Sequence, residues 1–156
     1  MSSGIGVSHD IIKEYNDFKM KSAAENPVCM VFKLSDDLKE ILMDSELNAL
    51  VPKVDKKSDD EQLNRTHLDF LKEQLVDAEP RFIVFDFRFT RPDGTPTDKI
   101  GYMFWCSDNA PVKKRMTYAS TNTVLKKKLE CGAEFQVNDK ADMDYNDFKS
   151  DLNKNK

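Results

Sequence analysis

A chain of 156 residues, 39% hydrophobic and 33% charged with a net charge of −4, has the length of one domain, and its ten Phe and four Tyr exclude a disordered acidic polymer. No apolar run approaches the roughly 20 residues that cross a bilayer, and Met1-Ser2-Ser3-Gly4 lacks the basic and apolar regions of a signal peptide, so the expected location is the cytoplasm. Cys29, Cys106 and Cys131 are widely spaced and odd in number, and with His9 and His67 they form no zinc-type spacing, so buried thiols are expected, with no disulfide framework, metal or cofactor.

The first element is a helix that Ser8 can cap, with Asp10 near its N-terminus and Ile11, Tyr15 and Phe18 on one face. Apolar runs at 28–34 and 40–43 flank the polar cluster Ser35-Asp36-Asp37 and read as a strand hairpin. Residues 44–62 show no sustained period, and 52–62, rich in Lys and Asp, read as a mobile surface loop. Helical spacing returns with His67, Leu68, Leu71, Leu75 and Val76, which predicts a helix over 63–77 ending before Pro80. From 81 to 90 the chain alternates, Ile83, Phe85, Phe87 and Phe89 against Phe82, Val84, Asp86 and Arg88. Both series begin apolar, so one end of this strand is expected to be covered on both faces.

Arg91-Pro92-Asp93-Gly94 is a turn, and 99–106 is the returning strand of a central hairpin. Ser107 to Pro111 open a helix of about 18 residues, for which Gly132 is a plausible end. A short strand over 133–137 follows, and Tyr145, Phe148 and Leu152 mark a last helix. The sum is an α/β fold: a central mixed sheet of about five strands between helices.

The long helix carries the first functional signal. Between Asn109 and Leu129 there are six cations, Lys113, Lys114, Arg115, Lys126, Lys127 and Lys128, and no acid. On a helical projection Val112, Tyr118, Ala119, Leu125 and Leu129 form the arc expected to pack on the sheet. Met116, Ser120, Thr123 and Lys127 line the flank with Lys113 alongside, a strip of small, apolar and cationic groups suited to docking. On spacing alone a solvated face with one exposed Met is the favoured reading, since single exposed apolar residues are common.

The run Trp105-Cys106-Ser107-Asp108-Asn109-Ala110-Pro111-Val112-Lys113-Lys114-Arg115-Met116-Thr117-Tyr118-Ala119-Ser120 resembles the signature of the actin-depolymerising factor/cofilin family, in which a tryptophan strand end leads through Asp-x-Ala-Pro to a basic helix. The similarity extends to Ser3-Gly4-Ile5-x-Val7, Tyr15-Asn16-Asp17, Val31-Phe32-Lys33, Arg81-Phe82-x-Val84-Phe85-Asp86-Phe87 and Phe135-Gln136-Val137. Ser107 stands where the family usually has proline, and 44–62 looks longer than the matching segment of typical members. The resemblance implies one ADF-homology (gelsolin-like) domain over 4–153 with a flexible tail at 1–6.

It also implies a non-enzymatic, monomeric protein that binds actin monomers and filaments, prefers ADP-actin, and promotes severing and depolymerisation. The alternative it leaves open is a filament side-binding, coactosin-like relative, or a monomer-sequestering one, with weak severing. The implied actin-binding residues are Ser3, Gly4, Ile5, Lys113, Arg115, Met116 and Ser120, and the filament-specific ones are Lys99, Lys149 and Lys154, with Thr97 where members often have another cation. Ser3 matches a serine whose phosphorylation switches many members off, since added negative charge repels an acidic partner. Lys113, Lys126, Lys127 and Lys128 are implied phosphoinositide contacts. A nucleic-acid binder is disfavoured by the overall acidic charge and the lack of stacking aromatics beside the lysines.

Overall fold

The structure, a computed structural model, describes residues 9–20, 25–27, 29–35, 39–51, 53–55, 68–90, 93–94, 96–129 and 133–139. The expected last helix, the end of the long helix at Gly132, residues 56–62 of the expected loop, and Cys131 lie outside these residues. In chain order come α1 (His9–Met20), β1 (Glu25–Pro27), β2 (Cys29–Leu34), β3 (Ile41–Met43), α2 (Ser45–Leu50) and β4 (Lys53–Asp55). Then follow α3 (residues 68–74), β5 (Arg81–Thr90), β6 (Pro96–Trp105), α4 (Val112–Leu129) and β7 (Ala133–Val137).

Five strands form a mixed sheet in the order β3-β2-β5-β6-β7. The β5–β6 hairpin is its spine, in register from Arg81 opposite Trp105 to Thr90 opposite Pro96. Gly94 takes φ +90 in the connecting turn, a left-handed conformation that glycine adopts without a Cβ penalty. Strands β6 and β7 run parallel, which requires a long crossover, and α4 lies within it.

The double apolar alternation is used on both faces in the first half of β5. Phe82 and Val84 pack with Ile11, Tyr15, Phe18, Tyr118, Leu125 and Leu129, so α1 and α4 cover one face of the sheet. Ile83 and Phe85 pack on the other face with Leu68, Leu71, Leu75 and Trp105, so α3 covers that side. Gly101 sits opposite Phe85 in the hairpin, and a methyl group added there would run into the Phe85 ring. We expect Gly101→Ala to destabilise the fold by about 1–3 kcal/mol through overpacking, read as a lower denaturant midpoint at unchanged slope.

Several expectations need correction. Residues 53–55 are not loop but strand β4, paired antiparallel with β1 from Glu25 opposite Asp55 to Pro27 opposite Lys53. A three-residue strand has too few positions to show alternation, and its partner lies well upstream. Residues 45–50, expected to lack regular structure, form α2, because Asp44 caps it by accepting from the Leu47 amide at 3.0 Å. Asn48 on this short helix accepts from the Val31 N–H at 3.0 Å and donates to the Val31 carbonyl at 2.8 Å. It thereby serves β2 beyond the end of β3, where the Val31 carbonyl also accepts from the Asp44 amide at 2.9 Å.

The described part of α3 ends at residue 74, so Val76 is not on its packed face but 51% exposed, and the Val76 carbonyl accepts from the Trp105 indole at 3.0 Å. On α4 the buried arc is Tyr118, Thr121, Leu125 and Leu129. Ala119 and Val112, expected in the core, are exposed. Thr121 escaped notice because its polarity suggests a surface position; its hydroxyl is satisfied inside the helix by donating to the Thr117 carbonyl at 2.8 Å.

Candidate functional site

The loop before α4 is folded by its own polar groups. The Ser107 hydroxyl accepts from the Asn109 amide at 3.1 Å, and the Ser107 carbonyl accepts from the Ala110 amide at 3.1 Å. Ser107 is buried, and these bonds shape the turn that sets the direction in which α4 leaves the sheet. The first helical bond follows at once, Arg115 N–H to the Pro111 carbonyl at 2.9 Å.

With Tyr118, Thr121, Leu125 and Leu129 turned to the sheet, the opposite side of α4 presents Lys113, Met116, Thr123 and Lys127 to solvent, with Ser120 half-buried among them. Met116 is 66% exposed. Val112, one turn before it, is 61% exposed, so the helix carries an apolar pair at i and i+4 beside a cation. Sequence reasoning placed Val112 in the core and so missed it as a surface group; the signal was its spacing of four from Met116, which already belonged to the strip.

The three consecutive cations at the start of α4 have different environments. Lys113 is exposed. Arg115 is half-buried, its Nε donating to the Ala110 carbonyl at 3.1 Å and so clamping the preceding loop. Lys114 lies in line with Tyr118, Thr121 and Leu125, on the sheet side, and its Nζ reaches both carboxylate oxygens of Glu79, at 3.0 and 3.1 Å. Glu79 also meets Arg81 at 3.5 Å, and Arg81 Nε is held by Asp44 at 2.8 Å. Burial acts to raise the Glu79 carboxyl, but the bonds and charges of Lys114 and Arg81 outweigh it and hold the group below its ordinary value of 4.5.

At the far end of α4, Lys126 pairs with Glu134 at 3.6 Å, and Lys127 and Lys128 are exposed. Thirteen residues separate Lys113 from Lys126, a rise of about 20 Å along the helix, so the implied phosphoinositide contacts fall at two ends rather than in one cluster. Lys99 lies in β6 opposite Phe87. Ser3, Gly4, Ile5, Lys149 and Lys154 are outside the described residues.

Cys29 and Cys106 are free and buried, as expected. Burial pushes the Cys29 thiol up to about 12, and it raises Cys106 too, where Arg115 pulls down and Asp108 pushes up. Such thiols are poor nucleophiles at neutral pH. Among the described residues no cluster of His, Cys, Asp and Glu could hold a metal ion, and no helix is long and apolar enough to cross a membrane.

The chain as a whole is similar to known proteins. The sequence profile of the cofilin/tropomyosin-type actin-binding proteins matches residues 4–153. The chain is 31% identical to the cofilin of Gibberella zeae over 157 aligned positions, covering 97% of this chain and 95% of that one. It is 30% identical to actophorin of Acanthamoeba castellanii, covering 90% and 89% of the two chains. In three dimensions it is similar to the crystal structure of Plasmodium berghei actin depolymerization factor 2, with a TM-score of 0.74 at 22% identity over 99% of both chains, a likeness of fold. Match length and identity together establish that the chain belongs to the ADF/cofilin family of actin-binding proteins.

Proposed function

We propose that the protein binds both actin monomers and filaments through the exposed side of α4, prefers ADP-actin, and promotes filament severing and subunit loss. The observation that carries this reading is the exposure of Lys113 and Met116 on the side of α4 turned away from the sheet, with Val112 beside them. An apolar pair next to a cation suits a partner with an apolar cleft and a carboxylate rim. Binding does the mechanical work: a protein that prefers one filament geometry shifts the filament toward it and strains the contacts between subunits. No catalytic step is needed.

Ser3, Gly4, Ile5, Arg115 and Ser120 complete the proposed actin surface, while Lys99, Lys149 and Lys154 form a second one used on filaments. Phosphorylation of Ser3 would place about −1.5 to −2 charges against an acidic partner and weaken docking. Lys113 with Lys126, Lys127 and Lys128 would bind phosphoinositide headgroups, the exposed Lys127 and Lys128 contributing most because Lys126 is already paired. The working unit is a monomer acting in the cytoplasm, folded as one domain over 4–153 with a tail at 1–6.

The test mixes purified protein with ADP-actin filaments and follows both the pelleted fraction and filament length by microscopy. Shorter filaments together with more soluble actin are the expected result. Pelleting without shortening would replace severing by side-binding, and more soluble actin at unchanged length distribution would replace it by monomer sequestration.

A further inference from the structure

We infer that Glu79 is a positioning residue for the actin-binding side of α4: it holds Lys114, and through it the first turn of the helix, so that Lys113 and Met116 are presented in one fixed direction. The inference rests on the actin-binding reading of α4 and extends it to a residue outside the helix.

The reasoning begins with an electrostatic conflict. A helix N-terminus carries partial positive charge and favours acids in its first turn. The first turn of α4 has none, and it carries Lys113, Lys114 and Arg115 instead. Left alone, this end would tend to fray. The missing negative charge arrives from another part of the chain, the 76–80 segment before β5. Its Glu79 carboxylate takes Lys114 with both oxygens. Asp77 in the same segment accepts from the Asn109 side chain at 3.3 Å, and the Val76 carbonyl accepts from Trp105 at 3.0 Å. The segment is therefore fastened to the sheet end, to the loop and to the helix.

Glu79 is itself held from behind. Arg81 reaches it at 3.5 Å, donates to the Pro80 carbonyl at 2.7 Å, and is anchored on the buried Asp44. Lys33, Glu79, Arg81, Lys114 and Tyr118 line a cleft of only about 70 Å³. Lys114 is thus directed into the protein's own charge network while Lys113, next in sequence, faces solvent. The basic run is divided into a presented cation and a fastening one, and among the described residues it is the latter that pairs with a carboxylate across the loop.

Two simpler roles make opposite predictions. If Glu79 merely dilutes the positive field of α4, removing its charge would tighten binding to an acidic partner. If Lys114 touches actin directly, freeing it would also tighten binding, and removing it would weaken binding whatever stands at 79. The experiment compares Glu79→Gln, Lys114→Gln and the double variant by actin-monomer affinity and by hydrogen exchange of the amides of residues 115–118, with Lys113→Ala as control. Positioning predicts faster exchange in Glu79→Gln, an affinity loss of about twofold to fivefold, and a double variant no weaker than the worse single one, because the pair acts as a unit. The thermal midpoint should move by no more than about 4 °C. Tighter binding by Glu79→Gln, unchanged exchange, or faster exchange without affinity loss would each overturn the inference while leaving the α4 surface standing. Should Lys113→Ala bind as the unaltered chain does, the α4 reading itself fails and the positioning role goes with it.

Discussion

Replacing Lys113 and Arg115 together by alanine is expected to lower actin affinity by about tenfold to a hundredfold, with the fold retained. The two substitutions act by different routes. Lys113 is exposed, so its loss removes attraction to an acidic partner and chiefly slows association. Arg115 is half-buried and its Nε bonds the Ala110 carbonyl, so its loss also loosens the loop that feeds the helix. Raising the salt should therefore shrink the Lys113 part of the deficit more than the Arg115 part, since screening acts on exposed charge. Affinity titrations of the single and double variants at two salt concentrations separate them. An equal affinity for double variant and parent would remove α4 from the binding surface. Met116→Ala tests the apolar contribution beside them and should leave the salt dependence unchanged.

The second large effect falls on a residue remote from that surface. Asp44 is 3% exposed, caps α2 through the Leu47 amide and binds Arg81 Nε at 2.8 Å. Asp44→Ala removes the cap and takes the shortest carboxylate bond from Arg81, whose side chain is only 13% exposed, leaving it Glu79 at 3.5 Å and the Pro80 carbonyl at 2.7 Å. Losing the cap costs about 1 kcal/mol and losing a charge-assisted bond about 1.5–3 kcal/mol, so the thermal midpoint should fall by about 10 °C. Asp44→Asn can still accept the Leu47 amide but lacks the charge, and should fall in between. Thermal melts of the three chains decide the matter, and identical midpoints would mean that Glu79 and the Pro80 carbonyl hold Arg81 without Asp44. Because Arg81 also supports Glu79, Asp44→Ala should further quicken amide exchange at the start of α4, linking fold stability to the proposed site.

Most of the sheet and its helices were legible without coordinates. The alternation along 81–90 announced a strand covered on both faces, and the structure places Phe82 and Val84 under α1 and α4, Ile83 and Phe85 against α3. Ile11, Tyr15 and Phe18 turned out to be the buried stripe of α1, and 112–129 a helix of 18 residues. These features repeat over several turns or pleats, and a repeated local pattern suffices to reveal them. The family resemblance was equally legible, because the run from Trp105 to Ser120 is continuous in the chain.

What the sequence could not determine depends on partners far apart along it. Strands β1 and β4 are too short to show a period and exist as a pair; α2 is announced only by its Asp44 cap. The rotation of α4 was misjudged because apolarity was counted and hydrogen bonding was not: Thr121 is buried with its hydroxyl satisfied, while Val112 and Ala119 face solvent. That rotation decides which cations are presented. In the sequence Lys113, Lys114 and Arg115 are three adjacent positive charges; only the packed fold turns the first outward, ties the second to Glu79 and sets the third against the Ala110 carbonyl. Local periodicity tells which residues share a face, whereas the direction of that face and the pairing of its charges follow from packing against elements distant in the chain.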